Sequence, residues 1–317
     1  MATAVRVLTT ESLDPHLNLA TEDWLFRLLP ADSQVLLMWR NRPTVVIGRY
    51  QNPWLECNLP LMAREGVELA RRQSGGGAVY HDQGNTNFTF ISPADRYDRD
   101  TNFDVVLAAL DHLGVAAERS PRNDVIVAGR KISGNAFKHT KERCFHHGTL
   151  LVSADLDRLQ RYLFSSVQAE SARGTRSVRS SVTNLAEHGA VTHDALCAAL
   201  ALKFRERFGA GGATEVLTGE VLRRESSLME YYRTAGSWQW LYGATPAFTL
   251  RFPRGTVEIE HGIIRSVRQL TGVDVDSVAP TLPGLRWGTI GPEDAVNQLD
   301  PNSPLRQDFE ELLGRNR

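Results

Sequence analysis

Three glycines in a row, Gly75–Gly77, sit between the strand-like runs "VELARR" and "TNFTFI". Glycine gives up more backbone freedom on folding than any other residue. A packed chain therefore keeps three together only where the backbone turns tightly or closely approaches something else. The flanks narrow the choice: Arg71 and Arg72 lie just before, and Ala78, Val79, Tyr80 and His81 follow. Bare amides beside guanidinium groups suit an anion, since successive N–H groups can point at it and arginine adds charge-assisted bonds. A tight hairpin with solvated arginines fits the same letters. Two common phosphate signatures, G-x-x-x-x-G-K-[ST] and G-x-G-x-x-G, are absent. A second glycine cluster, "GAGGATEVLTG" at 209–219, follows a helix end without a basic partner and reads as a C-cap and loop.

Around this loop the chain reads as strands in clusters with helices between them. Val5–Leu8 is a short strand, and Leu17, Thr21, Trp24, Leu25 and Leu28 mark one face of a helix. "QVLLMW" and "TVVIGRY" are β-rich and separated by a turn at Pro43, while "NLPLMAREG" is helical and ends at Gly66. Phe103, Val106, Leu107 and Leu110 give another amphipathic helix, and "DVIVAGRKISGNAF" reads as strand, turn at Gly129, strand. "HHGTLLVS" is a strand; "DLDRLQRYLF" and "THDALCAALALKFRERFG" are helices opened by Asp155 and Thr192. This is not a strict βαβ alternation, so the expected class is α+β with a mixed or antiparallel sheet. After "SWQWLYGATP" the pattern turns to period two in "AFTLRF", "TVEIE" and "IIRSVRQL". Helical segments are then expected from Pro292 and from Pro304 to the end. A boundary near Gly243–Pro246 gives two domains, 1–245 and 246–317.

The formal net charge of -1 lacks the basic excess of a general nucleic-acid binder. Cys57, Cys144 and Cys197 are far apart and form neither a disulfide framework nor a zinc spacing. No apolar run approaches the roughly 18 residues of a membrane span. No secretory signal pattern opens the chain, so the cytoplasm is the expected compartment, or the mitochondrion for a processed eukaryotic form.

"RRQSGGGAVYHDQGNTNFTF" resembles the lipoate-binding signature of the lipoate-protein ligase A family. "VVIGRYQNPWLECN", "RNDVIVAGRKISGNAFK", "FHHGTLL", "SVRSSVTNL" and "SWQWLYG" resemble further blocks of that family in the expected order. The resemblance covers about the first 245 residues; the remainder fits a small α/β accessory domain in position and length. It implies the fold shared by biotin-protein ligases and class II synthetases. It also implies a two-step activity: lipoate and ATP, with Mg2+, give lipoyl-AMP and pyrophosphate, and the lipoyl group passes to a lysine on an acceptor. Implied acceptors are lipoyl domains of 2-oxoacid dehydrogenase E2 subunits and the glycine-cleavage H protein. No nucleic-acid or membrane partner is expected.

The resemblance also assigns residues. Lys131 bridges the lipoate carboxylate and the α-phosphate without covalent attachment. Arg72 contacts phosphate or carboxylate, and Gly77, Ala78, Val79 and Tyr80 meet the nucleotide through backbone and ring. Ser74, Gly75 and Gly76 line the lipoyl opening, joined by Gly77, His147 and Gly148, with Val45, Val46 and Ile47 as candidates for a greasy tunnel. Asn123 and Asp124 lie near the nucleotide, the acid either holding Mg2+ through water or orienting the adenine amine. Arg179 and Ser180 belong to a segment that closes over the adenylate. His81, His146 and His147 lack a zinc spacing and read as core or supporting histidines. Cys144 invites comparison with related acyltransferases that use a cysteine thioester, though "KERCFHHG" carries no sign of a depressed thiol pKa. Three rivals remain: a lipoyltransferase that uses preformed lipoyl-AMP or a lipoylated donor, a non-catalytic lipoate or nucleotide binder, and a biotin ligase, whose G-R-G-R-x-G style of glycine loop this chain lacks. Intact Lys131, Arg72 and glycines argue against the second.

Overall fold

A computed structural model describes residues 5–30, 32–209, 212–268, 271, 281–288 and 293–313. Its centre is a six-stranded mixed sheet. The strands, in order, are Asn135–His139, Arg143–Leu151, Asn85–Pro93, Gln34–Trp39, Val5–Thr10 and Glu215–Leu217. Val5–Thr10 runs parallel to both neighbours, and the other pairings are antiparallel.

Strand alternation decides what each face meets. Leu36, Met38, Phe88 and Phe90 face one way, into a core closed by the helices Arg99–His112 and His193–Phe208. Val35, Leu37, Trp39 and Ile91 face the other way, against Leu25 and Phe26 of the helix Pro15–Leu28. That helix starts where Asp14 accepts hydrogen bonds from the amides of His16 and Leu17, with Pro15 at its first position. Leu28, grouped by spacing with its buried face, is 54% exposed at the last position of the helix. On the same sheet face as Trp39, the polar residues Asn87, Thr89, His147 and Thr149 are buried. A sheet face that buries polar side chains beside apolar ones prepares a site.

Two small sheets wall this face. Thr44–Ile47 pairs parallel with Glu68–Arg71 and antiparallel with Val79–His81, so the triple glycine links the two outer strands. Glu118–Arg119, Val125–Val127 and Arg130–Ser133 form the other, and Gly134 passes the chain from it into the main sheet. A fourth sheet joins Phe248–Phe252, Gly255–Glu260 and Ile263–Arg268 as antiparallel strands.

Several elements escaped the pattern reading. Glu215–Leu217, inside the segment read as loop, is the edge strand beside Val5–Thr10. Its ladder comes from a partner two hundred residues away, and the local glycines hide it. Ala169–Ala172 adds to the edge of the fourth sheet for the same kind of reason. Two helices, Gly219–Arg224 and Ser226–Ala235, were not anticipated, and Cys144 lies within its strand rather than before it. The strand expected over "IIRSVRQL" ends at Arg268; Gln269 and Leu270 lie outside the described residues, as do Ala210, Gly211 and Pro292. Helices occur at Ala295–Gln298 and Pro304–Leu312, and residues 314–317 lie outside the described part. Among the described residues no helix is long and apolar enough to cross a membrane.

Candidate active site

A cavity of ≈ 370 Å³ opens where the main sheet meets the two small ones. It is lined by Arg72, Gly76, Gly77, Ala78, Val79, Asp124, Lys131, His147, Gly148 and Ser180, all anticipated from the sequence. Ser74, Gly75, Tyr80, Asn123 and Arg179 are not among its lining residues.

The glycines answer to a close approach of two backbones. A Cβ on Gly48 would lie 2.3 Å from the carbonyl oxygen of Gly76, and Gly76 itself has φ +90°. Arg72 holds the loop from behind. Its guanidinium donates to the carbonyls of Val46 at 3.1 Å, Gly75 at 2.7 Å and Gly77 at 2.7 Å, and to Ser74 Oγ at 3.0 Å. These bonds turn carbonyls toward the arginine. Arg72 is therefore a brace of the loop, with its charge lying beneath the glycines, and it also lines the cavity. Burial lowers its pKa to about 10, which leaves it charged at neutral pH. Arg71 clamps from the other side, donating to the carbonyls of Gly48, Arg49, Gln51 and Leu241.

Ser74 sits behind the loop, not at the opening. Its Oγ is 2.7 Å from His147 Nε2, and His147 Nδ1 is 2.8 Å from Glu22 Oε1, all three side chains being buried. The chain Glu22–His147–Ser74–Arg72 fixes the loop to the sheet.

Lys131 comes from the strand Arg130–Ser133, and its Nζ lies 2.8 Å from Asp124 Oδ1. A Cβ on Gly134 would lie 3.3 Å from that Nζ, so the glycine keeps room for the ammonium group. The segment around "SVRSSVTNL" roofs the cavity. At one end the Lys131 amide donates to Ser181 O and the Thr183 amide to Lys131 O. At the other, Ser177 Oγ accepts from the Ala78 amide at 2.9 Å and from Gln51 Nε2 at 3.0 Å. Buried Glu56 accepts from the Ser177 amide and pairs with Arg176 at 3.0 Å. The roof thus reaches from the glycine loop to Lys131.

Some assignments move. Arg179 points its guanidinium over the Phe164 ring, 5.5 Å from its centroid, while Arg176 and Ser177 line the cavity. Tyr80 faces the core and packs against Tyr162, with tilted rings 5.4 Å apart at their centroids, because Val79 and His81 on either side take the cavity face. The same alternation puts Val46 in the wall and sends Val45 and Ile47 into the opposite core. Asn123, in a left-handed turn at φ 62°, accepts from Arg119 instead of facing the cavity. His146 bonds Asn135 at 2.9 Å amid Phe88, Phe103 and Phe137, and burial holds its pKa well below the ordinary value. Cys144 is buried against His139 outside the cavity, and burial pushes its thiol pKa up, which disfavours a thiolate nucleophile. Sequence reading missed Trp39, Asn87, Thr149, Gln51, Glu56 and Glu22. Their partners lie far along the chain, so no local spacing marks them.

The lipoyl protein ligase A/B catalytic domain family matches residues 14–205. The chain is 46% identical over 265 residues to a lipoate-protein ligase A of Psychrobacter cryohalolentis, covering 80% of this chain and 78% of that one. The crystal structure of P. falciparum LipL1 in complex with lipoate aligns with TM-score 0.66 and 27% identity over 99% of both chains. A lipoate-protein ligase A bound with ATP aligns with TM-score 0.62 and 28% identity, over 76% of this chain and 98% of that one. A bipartite ligase from Thermoplasma acidophilum, described with its E2 lipoyl domain, aligns with TM-score 0.64 and 26% identity over 76% and 96%.

Proposed function

The chain belongs to the lipoyl protein ligase A/B catalytic domain family, and from that premise we propose how its residues carry out ATP-dependent lipoylation. The lipoate carboxylate attacks the α-phosphorus of ATP and pyrophosphate leaves. The ε-amine of an acceptor lysine then attacks the lipoyl carbonyl and AMP leaves. Negative charge grows on oxygen in both steps, so fixed cations and amides aimed at it lower the barrier. One observation carries the reading: the paired Lys131 ammonium and the glycine-loop backbone share a cavity with Leu19, Val46 and Ala136.

In this reading Lys131 bridges carboxylate and α-phosphate, and the amides of Gly77 and Ala78 hold phosphate oxygens. Ala78 gives up its bond to Ser177 Oγ when the ligand arrives. Asp124 keeps Lys131 in place and is the acid suited to hold, through water, the Mg2+ that accompanies ATP as substrate. The apolar tail lies on the sheet face of Trp39 and Asn87. The roof keeps water from a hydrolysable anhydride. Residues 1–245 perform the chemistry and 246–317 form an accessory unit. Its own core supports that division, although Trp54, Leu55 and the strand Ala169–Ala172 tie it to the larger part. Acceptors are lipoyl domains, with the E2 subunits and the glycine-cleavage H protein as the specific substrates, and the bacterial relatives favour work in the cytoplasm.

Lipoate-dependent exchange of pyrophosphate into ATP, followed by the mass of a lipoyl domain, tests the reading. Transfer from synthetic lipoyl-AMP without any exchange would make the protein a lipoyltransferase instead.

A further inference from the structure

A second cavity of ≈ 450 Å³ shares no lining residue with the first. It lies where the helices Pro53–Glu56 and Leu59–Arg64 face Trp287 and Asp294 of the C-terminal part. Its size falls within the range of about 300–1,000 Å³ typical of small-molecule sites.

Aromatic rings form much of its wall. Trp54 and Tyr242 lie 5.4 Å apart at their centroids, and Trp238 stacks on Tyr242 at 6.2 Å. Flat ring systems suit such walls. Trp287 adds a demand. It is 1% exposed, and its Nε1 is buried with no hydrogen-bond partner among the described residues. An indole nitrogen only donates, and a buried donor left unpaired is costly. The occupant therefore carries an acceptor, which excludes a simple ammonium ion despite the aromatic wall.

An acceptor stands next to that donor. A Cβ on Gly288 would lie 2.8 Å from Asp294 Oδ2, so the carboxylate lies beside the residue that follows Trp287. The Ala295 amide, donating to Arg286 O at 2.7 Å, holds the two segments together. Asp294 already interacts with protein neighbours, and a carboxylate has lone pairs enough to accept from a ligand as well. Donor beside acceptor is the complement of the amino edge of adenine, where a ring nitrogen accepts and the exocyclic amine donates. Guanine presents two acceptors at the corresponding edge and would set one against the carboxylate. Arg64, exposed in the last turn of its helix, lines the same cavity and offers a cation to a phosphate.

We propose that this cavity is a second adenine-nucleotide site, with the base between the aromatic rings, its amino edge on Trp287 and Asp294, and the phosphate at Arg64. It is separate from the cavity at Lys131 and does not depend on the ligase reading. AMP and ATP share the required chemistry. The site adjoins the anchor of the roof, because Trp54 and Glu56 belong to one four-residue helix.

The experiment fills the cavity at Lys131 with a non-hydrolysable sulfamoyl analogue of lipoyl-AMP, then titrates AMP, ATP, adenosine and GMP by calorimetry. The expected result is one further adenine nucleotide per chain, with GMP about tenfold weaker. Trp287→Phe removes the N–H, keeps a ring, and should weaken that binding about five- to tenfold. The tighter of AMP and ATP names the source, and either one supports the site. No further nucleotide, GMP bound as tightly as AMP, or an affinity untouched by Trp287→Phe overturns the proposal. A cavity that holds only water gives the first of these outcomes. Should the variant not fold, the surface change Arg64→Ala decides: the natural protein prefers AMP over adenosine, and this variant binds both alike. An unchanged preference overturns the proposal. Failure of the analogue to bind would overturn the ligase reading instead, while the effect of Trp287→Phe on AMP binding still decides for this site.

Discussion

At the level of single residues, Lys131 and Gly48 carry the sharpest expectations. Lys131 is held by Asp124 at 2.8 Å and by the room Gly134 leaves, so its ammonium is positioned before any substrate binds. Lys131→Ala should slow lipoyl-AMP formation about 100- to 1,000-fold, the loss typical of one donor to developing charge. The thermal midpoint should stay unchanged, since the side chain supports no core; near-normal pyrophosphate exchange would count against the role. Gly48 is a different case. A methyl there would meet Gly76 O at 2.3 Å, backbone against backbone, with no side chain able to yield. Gly48→Ala should destabilise the fold by about 1–3 kcal/mol in urea and displace the glycine loop. A variant of unchanged stability and activity would show that the approach is looser than described.

At the level of elements, the roof segment shows how position along the chain misleads. "SVRSSVTNL" carries Arg179 as its single arginine, which made that residue the natural choice for closure. In the fold Arg179 lies over Phe164, while Arg176 and the Ser177 amide are held by Glu56. The anchor sits in the short helix Pro53–Glu56, which is capped by Asn52 through the Trp54 amide. Glu56→Ala should therefore free the roof and let water reach the adenylate. The expected result is several-fold more free AMP and lipoate per acceptor modified, measured in single turnovers. Arg179→Ala should leave that ratio nearly unchanged. The opposite order would return closure to Arg179.

For the whole molecule, acid should unfold the protein early. His81 and His146 are held neutral by burial, the first at about 3 and the second well below its ordinary value, against about 6.5 in an unfolded chain. Between those limits the unfolded state binds more protons, so stability is full above about pH 6.5 and falls as pH drops toward the folded values. Each ring contributes about 1.4 kcal/mol per pH unit in that window. Urea midpoints at pH 8, 6.5 and 5 should be flat over the first interval and fall over the second; a flat profile throughout would mean that both rings are solvated. The small C-terminal core is coupled to the larger part through Trp54, which stacks on Phe248 with ring centroids 5.6 Å apart. Trp54→Ala should cost about 3–5 kcal/mol and lower the cooperativity of unfolding.

Sequence by itself determined most elements and the chemistry of the site. Period-two and helical spacing, caps such as Asp155 and Thr192, and the glycine and lysine blocks depend on local conformational preference, which neighbouring residues express. Tertiary structure alone decided which way alternating side chains face, so that Val46 lines the cavity while Val45 and Tyr80 do not. It also made Arg72 a brace of the glycine loop, held by the carbonyls of Gly75 and Gly77. Those outcomes come from hydrogen bonds and packing between segments far apart in the chain, and a strand such as Glu215–Leu217 exists only because Val5–Thr10 offers it an edge.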